Sequence, residues 1–197
     1  MKRLIAALAC ATILFAGEGE DIKLTDINFF QNACDRKISQ GCFNLGVAYN
    51  KGLGIKQDYE KARIFFSKAC ELGDETGCYN LGVLYEKGRG TMQDYKKASA
   101  LFLKACKMGE KMSCYNLGVL YTNGQGVEQN YKNAAELFSK TCEFEIAQGC
   151  FNVGILYHNG QGVKRDEKIA KKYFGKACDL GDKDGCDKYK ILDEQGL

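Results

Sequence analysis

Two cysteines recur eight residues apart, and each pair begins 36 residues after the last: Cys34/Cys42, Cys70/Cys78, Cys106/Cys114, Cys142/Cys150 and Cys178/Cys186. A fixed period of this size marks a repeat array, in which each unit buries its apolar face only against its neighbours. The 197 residues therefore describe an elongated stack rather than one or two compact domains.

Each period holds two apolar segments. The first is exemplified by Cys78-Tyr79-Asn80-Leu81-Gly82-Val83-Leu84-Tyr85, and a loop follows with paired glycines, Gly52/Gly54, Gly88/Gly90, Gly124/Gly126 or Gly160/Gly162. The second runs from Asp94-Tyr95 through Ala98 and Phe102 to Cys106. Apolar positions spaced by three and four predict helices for both. A short loop makes two such helices antiparallel neighbours. There is no proline, so every helix must stop at a glycine or a side-chain cap. Asp58, Asp94, Asn130 and Asp166 stand where an N-cap is wanted. Gly73, Gly109 and Gly181 stand where a left-handed C-cap is wanted. The expected divisions are a half repeat at 22–40, full repeats at 41–76, 77–112, 113–148 and 149–184, and a capping helix at 185–197.

Gly46, Gly82, Gly118 and Gly154 fall mid-helix, where glycine costs up to about 1 kcal/mol relative to alanine. Close approach of an adjoining helix is the expected return. The equivalent position in the last, partial repeat is Lys190, and Asp187, Lys188, Asp193 and Glu194 make that helix a polar cap.

The N-terminus reads as a secretory leader, 1–17. Met1-Lys2-Arg3 is basic, and Leu4 to Phe15 is apolar but shorter than the ~20 residues that span a bilayer. Acylation at Cys10, within Ala7-Leu8-Ala9-Cys10, is the lesser alternative. Removing the leader takes Cys10 with it and leaves ten cysteines, all in the five pairs. An even, regular set in an exported chain reads as a disulfide framework. Without Lys2 and Arg3 the charge falls from +3 to +1, with 26 basic against 25 acidic side chains. That excludes a nucleic-acid or anionic-membrane partner argued from charge. A zinc site needs four converging ligands at short spacing; one histidine and C-x7-C pairs do not provide it.

On a continuous helix, cysteines eight apart would lie ~12 Å from one another, whereas a disulfide needs Cα atoms within about 7 Å. The glycine-marked turn must reverse the chain. Pairing Cys42 with Cys70 across a hairpin is the rival geometry, but it strands Cys34 and Cys186. The expected bonds are therefore Cys34–Cys42, Cys70–Cys78, Cys106–Cys114, Cys142–Cys150 and Cys178–Cys186.

Residues 41–186 resemble a known family. Cys42-Phe43-Asn44-Leu45-Gly46-Val47-Ala48-Tyr49 is similar to the W-x2-L-G-x2-Y of tetratricopeptide repeats, with cysteine in the tryptophan place. Ala62/Phe66, Ala98/Phe102, Ala134/Phe138 and Ala170/Phe174 match their A-x3-F. The 36-residue period and glycine loop depart from that pattern and resemble Sel-one-like repeats. With the C-x7-C pairs added, the resemblance is to the Helicobacter cysteine-rich protein (Hcp) family. It implies an all-α fold, a right-handed α-α superhelix (solenoid) of disulfide-stapled helix pairs. It implies two functions: a protein-interaction scaffold, and a penicillin-binding protein with weak β-lactamase activity.

The residues support the first of these. A serine β-lactamase is read from S-x-x-K with S-D-N and K-T-G, and Ser39, Ser67, Ser99, Ser113 and Ser139 all lack lysine three residues on. Lys140-Thr141 is followed by Cys142, and His158, which stands where other repeats have Asn50, Glu86 and Thr122, reads as an exposed helix-end residue. No catalytic residue, metal or cofactor is assigned. Asn44, Asn80, Asn116 and Asn152, by contrast, recur before the Leu/Val-Gly step, where asparagine is a mediocre helix former. An amide donates to and accepts from an extended peptide backbone, and the resemblance puts this position on the concave groove. The competing role is a hydrogen bond to a neighbouring turn. Lys164, Lys168, Lys172 and Lys176 form a ridge read as a solvated outer face. Phe144-Glu145-Ile146 breaks the turn pattern of the third repeat. The expectation is an exported monomer that binds a protein or peptide in its groove. β-Lactam or peptidoglycan-like small molecules are the alternative ligands.

Overall fold

A computed structural model of the chain describes residues 24–196. The leader expected at 1–17, and Cys10 within it, lie outside the described residues. These residues form ten helices and no strand: α1 (Leu24–Asp35), α2 (Ser39–Lys51), α3 (Tyr59–Glu71), α4 (Glu75–Lys87), α5 (Tyr95–Met108), α6 (Lys111–Asn123), α7 (Tyr131–Glu143), α8 (Ala147–Asn159), α9 (Glu167–Asp179) and α10 (Lys183–Glu194). Each packs chiefly on its neighbours in sequence, so the architecture is an α-α solenoid. Helices α2/α3, α4/α5, α6/α7 and α8/α9 are the pairs. Helix α1 is a second-type helix at one end and α10 a first-type helix at the other.

Inside each pair a phenylalanine fills the space a glycine leaves. A Cβ on Gly46, Gly82, Gly118 or Gly154 would lie 2.5–2.7 Å from the ring of Phe66, Phe102, Phe138 or Phe174, closer than carbon atoms pack. The adjoining helix is thus the partner in the same pair, and the A-x3-F phenylalanine is its contact. All four rings are buried, each contributing about 1.5–3 kcal/mol on burial. Among the described residues α10 packs on α9 alone, and Lys190, at the equivalent position, is exposed.

Helix ends follow local rules. Asp58, Asp94, Asn130 and Asp166 accept from the N–H of Lys61, Lys97, Asn133 and Ile169 at 2.9–3.0 Å. Gly52, Gly88, Gly124 and Gly160 close the first helices in the left-handed region. The second loop glycine has a different duty: a Cβ on Gly90 would sit 2.3 Å from the carbonyl carbon of Tyr59, and Gly126 and Gly162 meet Tyr95 and Tyr131 alike, so these three loops lie against the start of the preceding pair's second helix.

Pairs are joined covalently. Cys34–Cys42, Cys70–Cys78, Cys106–Cys114, Cys142–Cys150 and Cys178–Cys186 are disulfides with Cα atoms 4.5–4.8 Å apart. Each binds a second helix to the first helix of the next pair. The turn between is tight: the Asp74 N–H reaches the Ala69 carbonyl at 3.0 Å, and a Cβ on Gly77 would meet the Ala69 methyl at 2.7 Å.

Candidate ligand-binding face

The four asparagines occupy one register on α2, α4, α6 and α8, and all are partly exposed. Their partners differ in a way the neighbouring residue explains. Asn152 Nδ2 donates to the Tyr115 hydroxyl of the preceding first helix at 3.4 Å. The Tyr79 hydroxyl has Asn116 as its partner, although burial and the nearby Glu110 hold that phenol above its ordinary pKa. The position preceding Asn80 in this ladder is Phe43, which has no hydroxyl. Asn80 Nδ2 instead donates to the Thr76 carbonyl at 2.8 Å, and Asn44 Oδ1 accepts from Gln40 at 3.0 Å. Two asparagines thus reach across to the preceding repeat, and two are bonded within their own helix. The residue 37 positions before Asn80, Asn116 and Asn152, which is Phe43, Tyr79 and Tyr115 in turn, was the available signal for this split.

The serines are dispersed. Ser67 Oγ donates to Glu71 at 2.9 Å, and Ser99 Oγ to the Lys96 carbonyl at 2.9 Å. Ser113 is fully buried with no partner for Oγ. Ser39 opens α2. Ser139 lines a shallow cavity of about 600 Å³ between α7 and the Gly162–Val163 loop, beside Lys132, Glu136, Lys140 and Glu143. Each hydroxyl lies in a different repeat or a different environment, and no shared nucleophile position results. Among the described residues no cluster of His, Cys, Asp and Glu could hold a metal ion.

His158 is half-buried rather than free at its helix end. Its Nδ1 lies 2.7 Å from Glu167 Oε2, and Arg165 Nη2 donates to Glu167 Oε1 at 2.7 Å. Arg165 and then His158 hold the Glu167 carboxyl below the usual carboxylate range. Reading His158 only against its own position in other repeats missed this, because its partners lie across the loop. Lys168, Lys172 and Lys176 are exposed on α9, with Lys164 in the loop before it. Lys171 turns to Asp193 of α10 at 2.8 Å.

The Sel1 repeat profile matches residues 39–74, 76–110, 111–143 and 147–182. The chain is similar to c5321, a protective antigen of uropathogenic Escherichia coli with an SLR fold, at 29% identity and a TM-score of 0.85. That match covers 87% of this chain and 37% of c5321. Cysteine-rich protein B (HcpB) of Helicobacter pylori is 31% identical over 64% of this chain and 90% of HcpB, with a TM-score of 0.52. A 33-residue segment is 48% identical to "Putative beta-lactamase HcpC" of Helicobacter pylori, covering 17% of this chain and 11% of HcpC. The chain thus spans about a third of c5321, and its match reaches about a tenth of HcpC.

Proposed function

This chain belongs to the Sel1 repeat family, with Helicobacter cysteine-rich proteins among its relatives, and we propose that it is an exported scaffold that binds an extended protein segment. The observation that carries this reading is the recurrence of Asn44, Asn80, Asn116 and Asn152 at one partly exposed register of successive first helices. Regularly spaced amides pair with peptide main chain, which also repeats regularly and carries one donor and one acceptor per residue. The solenoid brings the first helices side by side, and disulfides hold their spacing. Repeat folds of this kind present extended surfaces to proteins. Export fits the five disulfides, which persist outside the reducing cytosol. Among the described residues no helix is long and apolar enough to cross a membrane.

The test uses Asn44→Ala with Asn80→Ala, the two asparagines without a tyrosine partner. Wild type and variant are used to capture proteins from envelope and host-cell lysates. The expected result is loss of captured partner with an unchanged melting temperature. Equal loss of binding and stability would reassign the asparagines to the fold. Hydrolysis of β-lactams is the second reading, and its support is the description of HcpC. Purified protein incubated with a chromogenic cephalosporin separates the two. Turnover abolished by one substitution would favour the hydrolase.

A further inference from the structure

The fourth repeat departs from its three predecessors where its loop meets α9. In those three, a glutamine bridges backbone and phenol: Gln57, Gln93 and Gln129 Nε2 donate to the carbonyls of Asn50, Glu86 and Thr122 at 2.7–2.8 Å and to the hydroxyls of Tyr59, Tyr95 and Tyr131 at 3.1 Å. The fourth has Arg165 for the glutamine, Glu167 for the tyrosine, and His158 above them. An uncharged bridge has become a charged one, beside a pocket of about 410 Å³ that the capping helix completes with Lys188, Ile191, Leu192 and Gln195.

The electrostatics of this pocket favour an anion. Both Glu167 oxygens are engaged, one by Arg165 and one by His158. Arg165 is 67% exposed at its side chain and commits Nε and Nη2 to that carboxylate. A guanidinium has five N–H donors in a planar fork, so it has others to offer a ligand. On α10, Lys190 lies by Glu194 and the cap's Asp193 is taken by Lys171, while Lys188 lines the pocket. Arg165 and Lys188 thus carry two positive charges against the single negative charge of Glu167. The floor is apolar: Phe174 and Leu192 are buried and Ile191 is 48% exposed. Lys188 also stands one period after Asn152, at the end of the asparagine register.

We infer that this pocket binds a free carboxylate attached to an apolar group, its chemistry being that of a peptide C-terminus. Arg165 and Lys188 hold the carboxylate, and the exposed Ile191, above the buried Phe174 and Leu192, receives the last side chain. Placing that terminus at the end of a peptide lying along the asparagines rests on the proposed scaffold function; the pocket itself does not.

His158 is the single histidine of the chain, so its ring resonances report on the pocket without assignment. Full-length protein is titrated with N-acetyl-L-phenylalanine and, separately, with its amide. The acid is expected to shift the His158 signals to saturation and the amide to bind at least about tenfold more weakly, as loss of a charge-assisted contact implies. Lys188→Gln, on the exposed face of α10, is expected to bring the acid down to the level of the amide. Equal shifts by acid and amide, or none by either, overturn the pocket. A pool of N-acetyl octapeptides ending in phenylalanine, as acids and as amides, tests the link to the groove. Acids held over amides in wild type, with Asn80→Ala lowering both alike, support the link. Octapeptides held regardless of terminus would overturn the pocket and leave the scaffold reading standing. The acid shift without octapeptide retention would leave the pocket and remove the scaffold reading.

Discussion

At the scale of single residues, Gly82 shows how a costly choice is repaid. Glycine in a helix loses about 1 kcal/mol to alanine, yet a Cβ here would lie 2.7 Å from the Phe102 ring. Overpacking of that kind costs about 1–3 kcal/mol, so the crowding outweighs the propensity gain. Gly82→Ala is expected to lower stability by about 1–2 kcal/mol in urea unfolding, and a stabilised variant would show that the helices can part without loss. Ser113 is the reverse case. Gly41, Gly77, Gly149 and Gly185 occupy its position in the other repeats, and its hydroxyl is buried without a partner. An unsatisfied buried hydroxyl costs about 1–3 kcal/mol. Ser113→Gly should therefore raise the melting temperature, and a fall would reveal a hydrogen bond that the hydroxyl makes. The glycine period was legible in the sequence. That the space belongs to a phenylalanine of the same pair was not, because a helical pattern does not say which ring crosses it.

At the scale of helices and turns, the caps decide where elements begin. Asp74, Glu110 and Asp182 cap α4, α6 and α10 with a side-chain bond, but Ile146 at the start of α8 makes none. The residue before it, Glu145, has φ +61°, where three other turns have Gly73, Gly109 and Gly181 and the first has Lys37 at φ +60°. The turn at Phe144-Glu145-Ile146 thus lacks both local devices, and Lys111 and Lys140 lie over the Phe144 ring instead. Ile146→Asp supplies the missing cap and is expected to stabilise by about 1 kcal/mol, read as slower amide exchange across the first turn of α8. A cation–π contact replacing a cap could not be read from spacing, since Lys111 is 33 residues from Phe144. Glu167 carries a pH dependence. Its pKa is lowered in the fold by Arg165 and His158. Its contribution is present above the ordinary carboxylate pKa of about 4.3 and is lost as pH falls through the lower folded value. Amide exchange at the start of α9 should accelerate below about pH 4, and Glu167→Gln should remove that step.

At the scale of the whole molecule, the solenoid is a chain of nearest-neighbour joints, each closed by a disulfide. In the chain-entropy model each such loop contributes roughly 2–3 kcal/mol. The joints are not equally protected. Cys178 and Cys186 are partly exposed, whereas the other eight bonded cysteines are buried. Limiting dithiothreitol with alkylation should label Cys178 and Cys186 first. Simultaneous labelling of all five pairs would mean that the array opens as one unit. Early opening at this end frees α10, because among the described residues it has one neighbouring helix where interior helices have two.

Period, helix pairs, caps and the need for a reversing turn are local properties, and the sequence by itself determined them through spacing and backbone stereochemistry. Tertiary structure alone decided which groups meet across repeats. Asn152 reaches Tyr115, while Asn80 faces the level of Phe43 and turns back to Thr76. His158 and Arg165, far apart on any one helix face, converge on Glu167. Stacking adds contacts between residues about one period apart, and their chemistry depends on two repeats at once. The cysteine pairs that define the period therefore set the frame, and differences between successive repeats within that frame make the sites.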